Sequence, residues 1–304
     1  MNSNRSESAA TGTVDVVVVS YNSRETLRGC VSPLVSMPFV DVYVVDNASQ
    51  DGALETIADL PVHVARQREN RGFAADCNRG WHAGSSRFVL FLNPDARLYE
   101  GSLCELVRVL DGDRRIGIVG PRILDRDGKV EFSQRHFPAL RSTFAQALFL
   151  HRIFRRASWT DEVVRDLSDY DAPCSPDWLS GACLLVRRDV LRQIGGWDDS
   201  FFLYSEDTDL CRRARTAGFD VRYVPTATAT HIGGQSSPRA GLLPLLAESR
   251  IRYARKHESG PKAFCQRIGI ALCALSHLAA ARTSGMRKGH ARALGRCFVS
   301  AASP

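Results

Sequence analysis

The sequence predicts an α/β fold with a single, mostly parallel sheet flanked by helices and followed by a C-terminal helical extension. Two observations support this prediction. Runs of consecutive apolar residues, such as Phe88–Leu92, have the length of a strand and lack alternation, which is typical of strands buried on both faces of a parallel sheet. Helical segments follow these runs after short connections, and that order predicts right-handed crossovers in a doubly wound sheet.

The first 120 residues account for most of the predicted sheet. Predicted strands cover residues 14–19, 41–45, 62–65 and 88–92, and predicted helices cover 24–36, 54–60, the segment from Asn70 through Trp81, and 103–110. No G-x-G-x-x-G follows the first strand and no G-x-x-x-x-G-K-[ST] occurs in the sequence. Those absences weaken a dinucleotide dehydrogenase and a P-loop ATPase as interpretations.

The rest of the chain is less regular. Residues 133–175 are predicted to form a mobile insertion with long loops, after a strand at 116–119 and a hairpin turn at 125–128. The predicted elements that follow are a strand at 178–186, a helix at 188–193 closed by Gly195, a helix from Ser205 to Ala217, a strand at 220–224, and helical segments at 242–257 and 262–296.

Composition is that of an ordinary soluble globular protein, with 44% hydrophobic and 24% charged residues among 304. The net charge of +7 allows anionic partners, which include nucleotide phosphates, nucleic acid and acidic membrane surfaces. Nine cysteines without paired spacing predict buried thiols in a reducing cytosol rather than disulfides. Residues 1–12 predict a disordered lead, and the apolar segment 263–281, which carries Arg267 and His277, is predicted not to span a membrane.

Acidic and amide side chains follow two of the predicted strands. Asp46 and Asn47 end the second strand, and Asp95 follows the buried run after Pro94, which cannot continue a ladder because it has no N–H. Ligands bind beyond the carboxyl ends of strands in open α/β sheets. Asp95 is therefore a candidate to hold a metal ion and, through it, a phosphate, although a helix N-cap or a turn acid is the simpler explanation.

A second candidate carboxylate opens the helix that follows Ser205. Ser205 is a suitable N-cap, and acids in the first turn suit the helix dipole, which is a sufficient explanation for Glu206 and Asp209. Asp207 instead shares a helical face with apolar residues, while Thr208 is predicted to lie on the opposite, solvent-facing side. A carboxylate that faces apolar side chains has a partner or lines a pocket.

Two features near the C-terminus have open interpretations. His231 ends a predicted strand before a Gly-Gly-Gln-Ser-Ser loop, where it could bind a metal or phosphate or serve as a hydrogen-bonded turn residue. The segment 262–296 is apolar on one side and basic on the other, which favours a helix that lies in a membrane interface. A solvated basic face packed on the domain is the alternative.

Seven short motifs occur in a recognisable order. They are Val16–Asn22, Val44-Val-Asp46-Asn47-Ala-Ser49-x-Asp51-Gly52, Asn70-x-Gly72-Phe73, Phe91-Leu-Asn93-Pro94-Asp95, Trp178-x-Ser180-Gly181-Ala182, Gly195-Gly-Trp197-Asp198 and Glu206-Asp207-x-Asp209-Leu210. Across residues 13–240 the chain resembles the family-2 inverting glycosyltransferases of GT-A type, whose sheet is Rossmann-like. Within that family it is most similar to bacterial rhamnosyltransferases, in which Asn-Pro-Asp commonly replaces Asp-x-Asp.

The resemblance implies roles for individual residues. Asp207 would be the general base, and Asp95 with His231 would bind Mg²⁺ or Mn²⁺, with one carboxylate fewer than usual because Asn93 replaces an acid. Residues implied to bind the nucleotide-diphosphate sugar donor are Tyr21, Asn22, Asp46, Asn47, Asn70, Gly72, Asn93 and Asp95. Residues implied to bind the acceptor are Arg135, Trp178, Ser180, Gly181 and Glu206.

The resemblance also implies an organisation and a location. A nucleotide-sugar half (13–120) and an acceptor half (121–240) would precede a basic helical extension (241–304). The protein would act in the cytoplasm, peripherally on the anionic inner face of the cell membrane, on a polyprenyl-linked or polysaccharide acceptor of cell-envelope glycan synthesis, and without nucleic acid. The resemblance implies transfer of rhamnose from dTDP-rhamnose, with a UDP- or GDP-linked sugar as the alternative donor, and homodimer formation stays open.

Two functions of other classes compete with this interpretation. A nucleotidyltransferase would need a Gly-rich, basic loop after the first strand, and Ser20-Tyr21-Asn22-Ser23 is not one. A non-catalytic, membrane-associated nucleotide-sugar-binding protein would make the basic extension the main functional element. Loss of transfer on replacing Asp207, with binding retained, would separate the enzyme from the binder.

Overall fold

The computed structural model describes residues 13–154, 157–233 and 239–299, so the predicted lead at 1–12 and the loop at 234–238 lie outside the described residues. The strands are β1 (Val14–Ser20), β2 (Val40–Asp46), β3 (His63–Arg66), β4 (Phe88–Leu92), β5 (Ala96–Leu98), β6 (Ile116–Leu124), β7 (Gln134–Arg135), β8 (Trp178–Leu179), β9 (Cys183–Arg187) and β10 (Asp220–His231).

The helices alternate with these strands and then continue alone to the C-terminus. They are α1 (Leu27–Val31), α2 (Phe73–Ala83), α3 (Ser102–Gly112), α4 (Leu140–Ala147), α5 (Leu150–Ile153), α6 (Arg188–Ile194), α7 (Glu206–Thr216), α8 (Arg239–His257), α9 (Gly260–Ala280) and α10 (Ser284–Arg296), with 3₁₀ turns at Leu54–Ile57 and Leu167–Tyr170.

The central sheet confirms the predicted α/β class. Its strand order is β3-β2-β1-β4-β9-β6-β10-β5, in which β1 to β4 are mutually parallel and β6 pairs in parallel with β10. β9 runs antiparallel between β4 and β6, and β5 runs antiparallel on β10. The carboxyl ends of β1, β2, β4, β6 and β10 consequently meet at one edge of the sheet.

The core explains why the strands lack alternation. In β4, Phe88 and Leu90 belong to the apolar cluster on one face of the sheet, whereas Val89 and Phe91 belong to the cluster on the other. All five residues of β4 are buried. Because helices cover both faces, every position of a central strand is selected for apolar character.

Two predicted elements are shorter than expected. The helix predicted at 24–36 is helical only over α1 and continues as turns, because Pro33 has no N–H to donate to the preceding turn. The strand predicted at 178–186 is broken at Ser180–Ala182 into β8 and β9. β8 pairs with β7 in a separate two-stranded sheet, and the backbone between the two strands turns toward α7.

The region 133–175 contains long irregular segments, as predicted, but it also contains regular elements that were not predicted. It contains α4, α5, β7 and a 3₁₀ turn, and α4 packs along α9. A Cβ at Gly269 of α9 would lie 2.8 Å from Cγ2 of Thr143 in α4, so glycine allows the two helices to approach closely. The insertion and the C-terminal extension therefore stabilise one another.

The extension consists of three helices rather than two. The predicted helix at 262–296 is interrupted at Ala281–Thr283, and the Thr283 hydroxyl caps α10 by accepting from the N–H of Met286 (3.3 Å). Among the described helices, α9 is long and apolar enough to cross a membrane by length and composition alone. The prediction that this segment does not span a membrane stays a prediction, because core helices of soluble proteins meet the same criterion.

The cysteines depart from the prediction at two positions. All nine are free, and Cys104 and Cys265 are exposed, so the expectation of uniformly buried thiols is wrong for these two.

Candidate active site

Three groups of polar side chains lie along the carboxyl edge of the sheet. The first surrounds Asp46 at the end of β2, the second surrounds Asp95 between β4 and β5, and the third surrounds Asp207 in the first turn of α7. The N–H of Asn93 donates to the carbonyl of Ala182 (3.0 Å), so the loop that carries Asp95 contacts the segment whose Gly181 bonds to Asp207.

The group around Asp46 borders a cavity of about 480 Å³. Asp46 is buried, and its Oδ2 accepts from the N–H of Ser49 (3.3 Å), whereas its Oδ1 has no hydrogen-bond partner among the described residues. The cavity is lined by Asp46, Ala48, Ser49, Gln50, Gly52, Ala53, Leu54, Glu55, Arg66, Gln67 and Arg68. A buried carboxylate oxygen without a partner is costly, and a ligand N–H would satisfy it.

Several predicted donor-binding residues hold the loops around this cavity. Nδ2 of Asn47 donates to Oδ1 of Asn70 (2.9 Å), and Oδ1 of Asn47 accepts from the N–H of Arg71 (2.9 Å). Asn22, in a left-handed conformation (φ 50°), accepts from the N–H of Gln50 (3.0 Å) through its Oδ1. These amides shape the loops around the cavity whether or not they also contact a ligand.

Two further predicted donor-binding residues lie beside these loops. Tyr21 follows β1 and is partly exposed. Gly72 precedes α2 with φ 88°, and a Cβ there would lie 2.4 Å from the carbonyl oxygen of Phe202. Glycine at position 72 therefore lets the loop before α7 pack against the start of α2.

Gln67 is a cavity residue that the sequence interpretation missed. Its Nε2 donates to Oδ1 of Asp76 (2.8 Å), a fully buried carboxyl on α2. Burial raises the pKa of Asp76 to about 6, against the hydrogen bond from Gln67 and the charges of nearby arginines. The position of Gln67 just after β3 was the signal available in the sequence, because strand ends border ligand sites.

The group around Asp95 brings together the predicted metal ligands. Nε2 of His231, at the end of β10, lies 3.4 Å from Oδ1 of Asp95 and 3.2 Å from Nδ2 of Asn93. Oδ2 of Asp95 accepts from the N–H of Gly233 (3.0 Å). On the other side of the ring, Nδ1 of His231 lies 3.0 Å from Oε2 of Glu131, a residue that the sequence interpretation missed.

Charge pairing dominates this group. Burial works to raise the pKa of Asp95, but the hydrogen bond and the charge of His231 outweigh it and lower the pKa below its ordinary value. Burial would lower the pKa of His231, yet Asp95 and Glu131 together raise it to about 10. Asp95 is thus held in its ionised form, the form that binds a cation.

The donor atoms in this group fit a divalent ion that is shared with a phosphate ligand. Asp95 offers a carboxylate, and His231 offers an imidazole nitrogen once a bound ion displaces the proton that its raised pKa retains. Both side chains are 13% exposed. Within the described residues, no group of three or more His, Cys, Asp or Glu side chains is arranged to hold a metal ion. An ion here would need further ligands from the phosphates or from water.

The group around Asp207 is built differently. The N–H of Gly181 donates to Oδ2 of Asp207 (3.0 Å), and the N–H of Thr208 donates to its Oδ1 (2.8 Å). A Cβ at Gly181 would lie 3.2 Å from Cβ of Asp207, so glycine permits this approach. Asp207 is partly buried and Glu206 beside it is buried, with Oε2 unpartnered among the described residues.

Burial raises the pKa of both acids in this pair. For Glu206, burial and the adjacent Asp207 carboxylate raise the pKa well above its ordinary value. For Asp207, burial raises the pKa, and the N–H groups of Gly181 and Thr208 oppose that shift. A carboxylate with a raised pKa is a stronger base than an exposed one, which suits proton abstraction.

The predicted acceptor-binding residues surround Asp207. The guanidinium of Arg135 lies over the Trp178 ring (5.6 Å to the ring centroid), and Trp178 Nε1 donates to the carbonyl of His136 (3.0 Å). The N–H of Ser180 donates to the carbonyl of Ser133 (3.0 Å). The β7–β8 ribbon therefore places a cation and an aromatic ring beside the carboxylate, a surface suited to a sugar phosphate.

The start of α7 differs from the prediction in two respects. Ser205 is not a side-chain N-cap, because it adopts a left-handed conformation (φ 64°) directly after Tyr204, which is also left-handed (φ 71°). Thr208 is buried rather than solvent-facing, since α7 is covered on more than one side. Two successive left-handed residues other than glycine are strained, and such strain is frequent at functional sites.

Asp209 has a structural role beyond the helix dipole. It is fully buried, and Arg213 Nε donates to its Oδ2 (2.7 Å). Its Oδ1 lies 2.7 Å from both Lys256 Nζ and His257 Nε2, at the end of α8. These contacts fasten the C-terminal extension to the helix that carries Asp207.

Asp15 lies far from these groups. It is buried near the start of β1 and forms an ion pair with Arg188 of α6, which accounts for an acid inside a strand.

Sequence comparison matches residues 15–195 to the model of a family described as Glycosyl transferase family 2. The N-acetylglucosaminyl-diphospho-decaprenol L-rhamnosyltransferase of Mycobacterium tuberculosis H37Rv is 32% identical over 260 residues, which make up 80% of this chain and 83% of that protein. The rhamnosyltransferase WbbL of Escherichia coli K12 is 28% identical over 148 residues, 47% of this chain and 52% of that protein.

Structural comparison matches the chain to a solved glycosyltransferase. A mannosyltransferase of Pyrobaculum calidifontis, solved in complex with GDP-Man and Mn²⁺, superposes with a TM-score of 0.57 at 16% identity, covering 94% of this chain and 79% of that one. At this identity the likeness concerns the fold, which is the GT-A fold.

Proposed function

The chain belongs to glycosyltransferase family 2, and we propose that it transfers rhamnose from dTDP-rhamnose to a hydroxyl of a lipid-linked or polysaccharide acceptor, with inversion at the anomeric carbon. One observation carries the proposal. Asp207 is a carboxylate with a raised pKa, oriented by the Gly181 N–H and set beside the Arg135–Trp178 surface.

The donor nucleotide would occupy the cavity at Asp46. The unpartnered Oδ1 of Asp46 would accept an N–H from the base, and the loops around the cavity would enclose the nucleoside. These loops hold Tyr21, Asn22, Asn47, Asn70 and Gly72. Residues 13–120 would in this way form the nucleotide-sugar half.

The diphosphate would lie between this cavity and Asp207. Asp95 and His231 would hold Mg²⁺ or Mn²⁺ there, Asn93 would contact the donor, and Glu131 would orient His231 through Nδ1. The ion would supply charge neutralisation for the leaving nucleoside diphosphate.

The chemical step would need one base and no enzyme nucleophile. Asp207 would accept the proton of the acceptor hydroxyl as its oxygen forms a bond to the anomeric carbon. The bond from that carbon to the phosphate oxygen would break on the opposite face, and the nucleoside diphosphate would leave with the electron pair. A single displacement of this kind inverts the configuration.

The acceptor would approach along residues of the half at 121–240. Arg135 would face an acceptor phosphate, and Trp178 would stack on a sugar ring. Ser180, Gly181 and Glu206 would border the attacking hydroxyl. The polyprenyl-linked acceptor named for the mycobacterial relative supports a lipid carrier for this chain, and hence a location at the inner face of the cell membrane.

The test is transfer by the purified full chain in the presence of Mn²⁺. The acceptor would be a polyprenyl-diphosphate N-acetylglucosamine, offered with a panel of dTDP-, UDP- and GDP-linked sugars. We expect dTDP-rhamnose to give the highest kcat/KM, and the one-bond C1–H1 coupling of the product to report inversion. A better UDP- or GDP-linked donor would overturn the donor assignment and leave the family intact.

A non-catalytic nucleotide-sugar binder is the competing function. It predicts saturable nucleotide binding without transfer from any member of the panel. The raised pKa of Asp207 favours the enzyme, because shifted pKa values of adjacent buried acids are typical of sites that transfer protons, and nucleotide binding alone does not require them.

A further inference from the structure

The outer surface of α9 is apolar. The side chains of Phe264, Ile268, Leu272 and Leu275 are between 41% and 63% exposed, and their spacing places them on one helical face. The opposite face of α9 is buried against α4, α8 and α10 through residues such as Ile270. The stripe is therefore an exposed face of a packed helix.

Further exposed apolar residues adjoin both ends of this stripe. At one end, the Phe149 ring lies 4.6 Å from the ring of His277 in α9, which places the neighbouring Ile153 (71% exposed) beside the stripe. At the other end, Arg267 of α9 donates to the carbonyls of Cys297 and Val299, which places Phe298 (73% exposed) there. We call Ile153, Phe264, Ile268, Leu272, Leu275 and Phe298 the apolar face.

The segment that carries most of the apolar face contains charges of one sign only, although Glu248 and Glu258 of the preceding segment pair with its Arg296 and Lys262. Residues 260–299 contain seven Lys or Arg and no Asp or Glu, which equals the net charge of +7 of the whole chain. Residues 1–259 contain as many acids as cations. Six of the seven cations are exposed, and α10 alone carries Arg287, Lys288, Arg292 and Arg296.

This combination fits an anionic lipid surface better than a second copy of the chain. A two-fold symmetric contact would bring the seven cations of each copy together, with no acids of the same segment to pair them. A membrane spanned by α9 would require the helix to leave α4, α8 and α10, where Gly269 packs closely on Thr143. An amphipathic helix in the interface plane satisfies both constraints.

The apolar face is rigidly connected to the acceptor side of the site. α8 of the extension holds Asp209 through Lys256 and His257, two residues after Asp207. Arg250 of α8 also forms an ion pair with Glu162, next to the residues that pair with β7. A membrane bound at the apolar face would therefore lie at a defined position relative to Asp207.

We propose that α9 lies in the plane of an anionic membrane, with the apolar face inserted among the lipid head groups and the cations of α10 on lipid phosphates. This surface replaces the single amphipathic helix expected from the sequence, since the apolar stripe is on α9 and most of the charge is on α10. The orientation rests on the proposed function, because it presents the acceptor side of the site to a lipid-linked substrate.

The test is vesicle co-sedimentation of the full chain, without donor or acceptor, so that its result does not depend on sugar transfer. Vesicles of phosphatidylcholine alone are compared with vesicles that contain about one-third phosphatidylglycerol. We expect Phe264→Ser/Leu272→Ser/Leu275→Ser to lower the partition coefficient on anionic vesicles by at least tenfold, because three buried apolar contacts with lipid are lost.

Two further variants complete the test. Arg287→Gln/Lys288→Gln/Arg292→Gln is expected to abolish the preference for phosphatidylglycerol, and Val64→Ser, at an equally exposed apolar residue of β3, is expected to change nothing. Melting temperatures of all variants should match the wild type, since every altered side chain is exposed.

Three results would overturn the proposal. The first is unchanged binding of the apolar variant. The second is a wild-type dimer in light scattering that becomes a monomer in that variant, which would assign the face to a second copy. The third is resistance of the bound wild type to extraction by alkaline carbonate, which would indicate that α9 spans the bilayer. If vesicle binding behaves as expected but no donor is transferred, only the proposed function fails.

Discussion

Asp95 and Asp207 stand at the same edge of the sheet, yet their surroundings are opposite. The segment Ser180–Ala182 lies between them, because Asn93 bonds to Ala182 and Gly181 bonds to Asp207. Asp95 faces the imidazole of His231, and its pKa is lowered. Asp207 faces backbone N–H groups and a second acid, Glu206, and its pKa is raised.

The difference assigns a separate task to each carboxylate. A carboxylate that a neighbouring cation keeps ionised is suited to bind a metal ion. A carboxylate with a raised pKa is suited to exchange a proton. A substitution in the group around Asp95 leaves the side chains around Asp207 in place, and the reverse also holds. The five predictions below test that separation.

Replacing Asp207, the proposed base, should have the largest effect. Asp207→Asn keeps the size of the side chain, and its single carbonyl oxygen can still accept one of the two backbone N–H groups, but it cannot accept the acceptor proton. We expect kcat to fall by about 10³-fold while the Kd of the donor nucleotide is unchanged, because general base catalysis contributes about 10²–10⁴-fold.

Steady-state transfer assays would measure kcat, and calorimetric titration would measure the Kd of the donor nucleotide. Asp189→Asn, at an exposed acid of α6, is the matched control and should behave as the wild type. Retention of a tenth or more of the transfer rate by Asp207→Asn would assign the base elsewhere.

Replacing Asp95 should disturb donor binding as well as turnover. Asp95→Asn removes the carboxylate that His231 holds ionised, so we expect Mn²⁺-dependent nucleotide affinity and kcat each to fall by about 10²-fold. The contrast with Asp207→Asn is the readout, since only Asp95→Asn should weaken binding. Equal nucleotide affinity of the two variants, measured with Mn²⁺ present, would remove the distinction between the sites.

Asn93→Asp offers the reverse change at the same loop. It restores a second carboxylate beside His231 Nε2, which lies 3.2 Å from Asn93 Nδ2. Tighter Mn²⁺ binding in this variant would support a metal position between residues 93, 95 and 231.

The central strands were predictable because burial on both faces of the sheet produces a run of consecutive apolar residues in the sequence. β4 was predicted with its observed bounds, and β2 to within one residue at each end. The antiparallel β9 was not predictable, since an apolar run carries no information on direction. The break at Ser180–Ala182 also escaped prediction, because it depends on contacts with Ser133, Asn93 and Asp207 that are distant in sequence.

The candidate site shows the same limit. Asp46 and Asp95 were accessible to sequence reasoning because they follow strands, and Asp207 because of its position in a helical turn. Glu131 was not, since it reaches His231 only through the hairpin in which Leu124 pairs with Val130. The burial of Thr208 was missed because sequence reasoning assigned a single covered face to α7, whereas Lys256 and His257 of α8 also contact the adjacent Asp209.

Glu131→Gln should have an intermediate effect confined to the Asp95 side. Glu131 fixes the His231 ring by its contact with Nδ1 (3.0 Å), and outer carboxylates of this kind typically change metal affinity by about 10–100-fold. We expect Mn²⁺ affinity, read from the electron paramagnetic resonance of free ion, to fall by about tenfold with nucleotide present. Glu100→Gln, at an exposed acid, is the control and should leave the Mn²⁺ affinity unchanged. An unchanged Mn²⁺ affinity in Glu131→Gln as well would mean that His231 binds no metal.

The smallest effect should come from Glu206→Gln, which tests why Asp207 differs from Asp95. Burial and the charge of Asp207 raise the pKa of Glu206 well above its ordinary value, so the folded state binds a proton that the unfolded state has released. Wild-type stability therefore falls as pH rises from the unfolded pKa of glutamate, about 4.3, toward the folded one. A neutral glutamine does not titrate, so the variant should lack this fall.

At pH 4 the wild type and Glu206→Gln should have the same melting temperature. At pH 8 we expect the melting temperature of Glu206→Gln to exceed that of the wild type by about 2 °C or more. Asp209→Asn is the opposite control. Its pKa is lowered because His257, Arg213 and Lys256 outweigh burial, so its loss should destabilise the fold most at neutral pH, where the charge is present. Parallel pH–melting curves for the wild type and Glu206→Gln would mean that Glu206 is ionised in the fold. Asp207 would then lie beside a negative charge and would need a cation closer than Arg135 to remain a carboxylate.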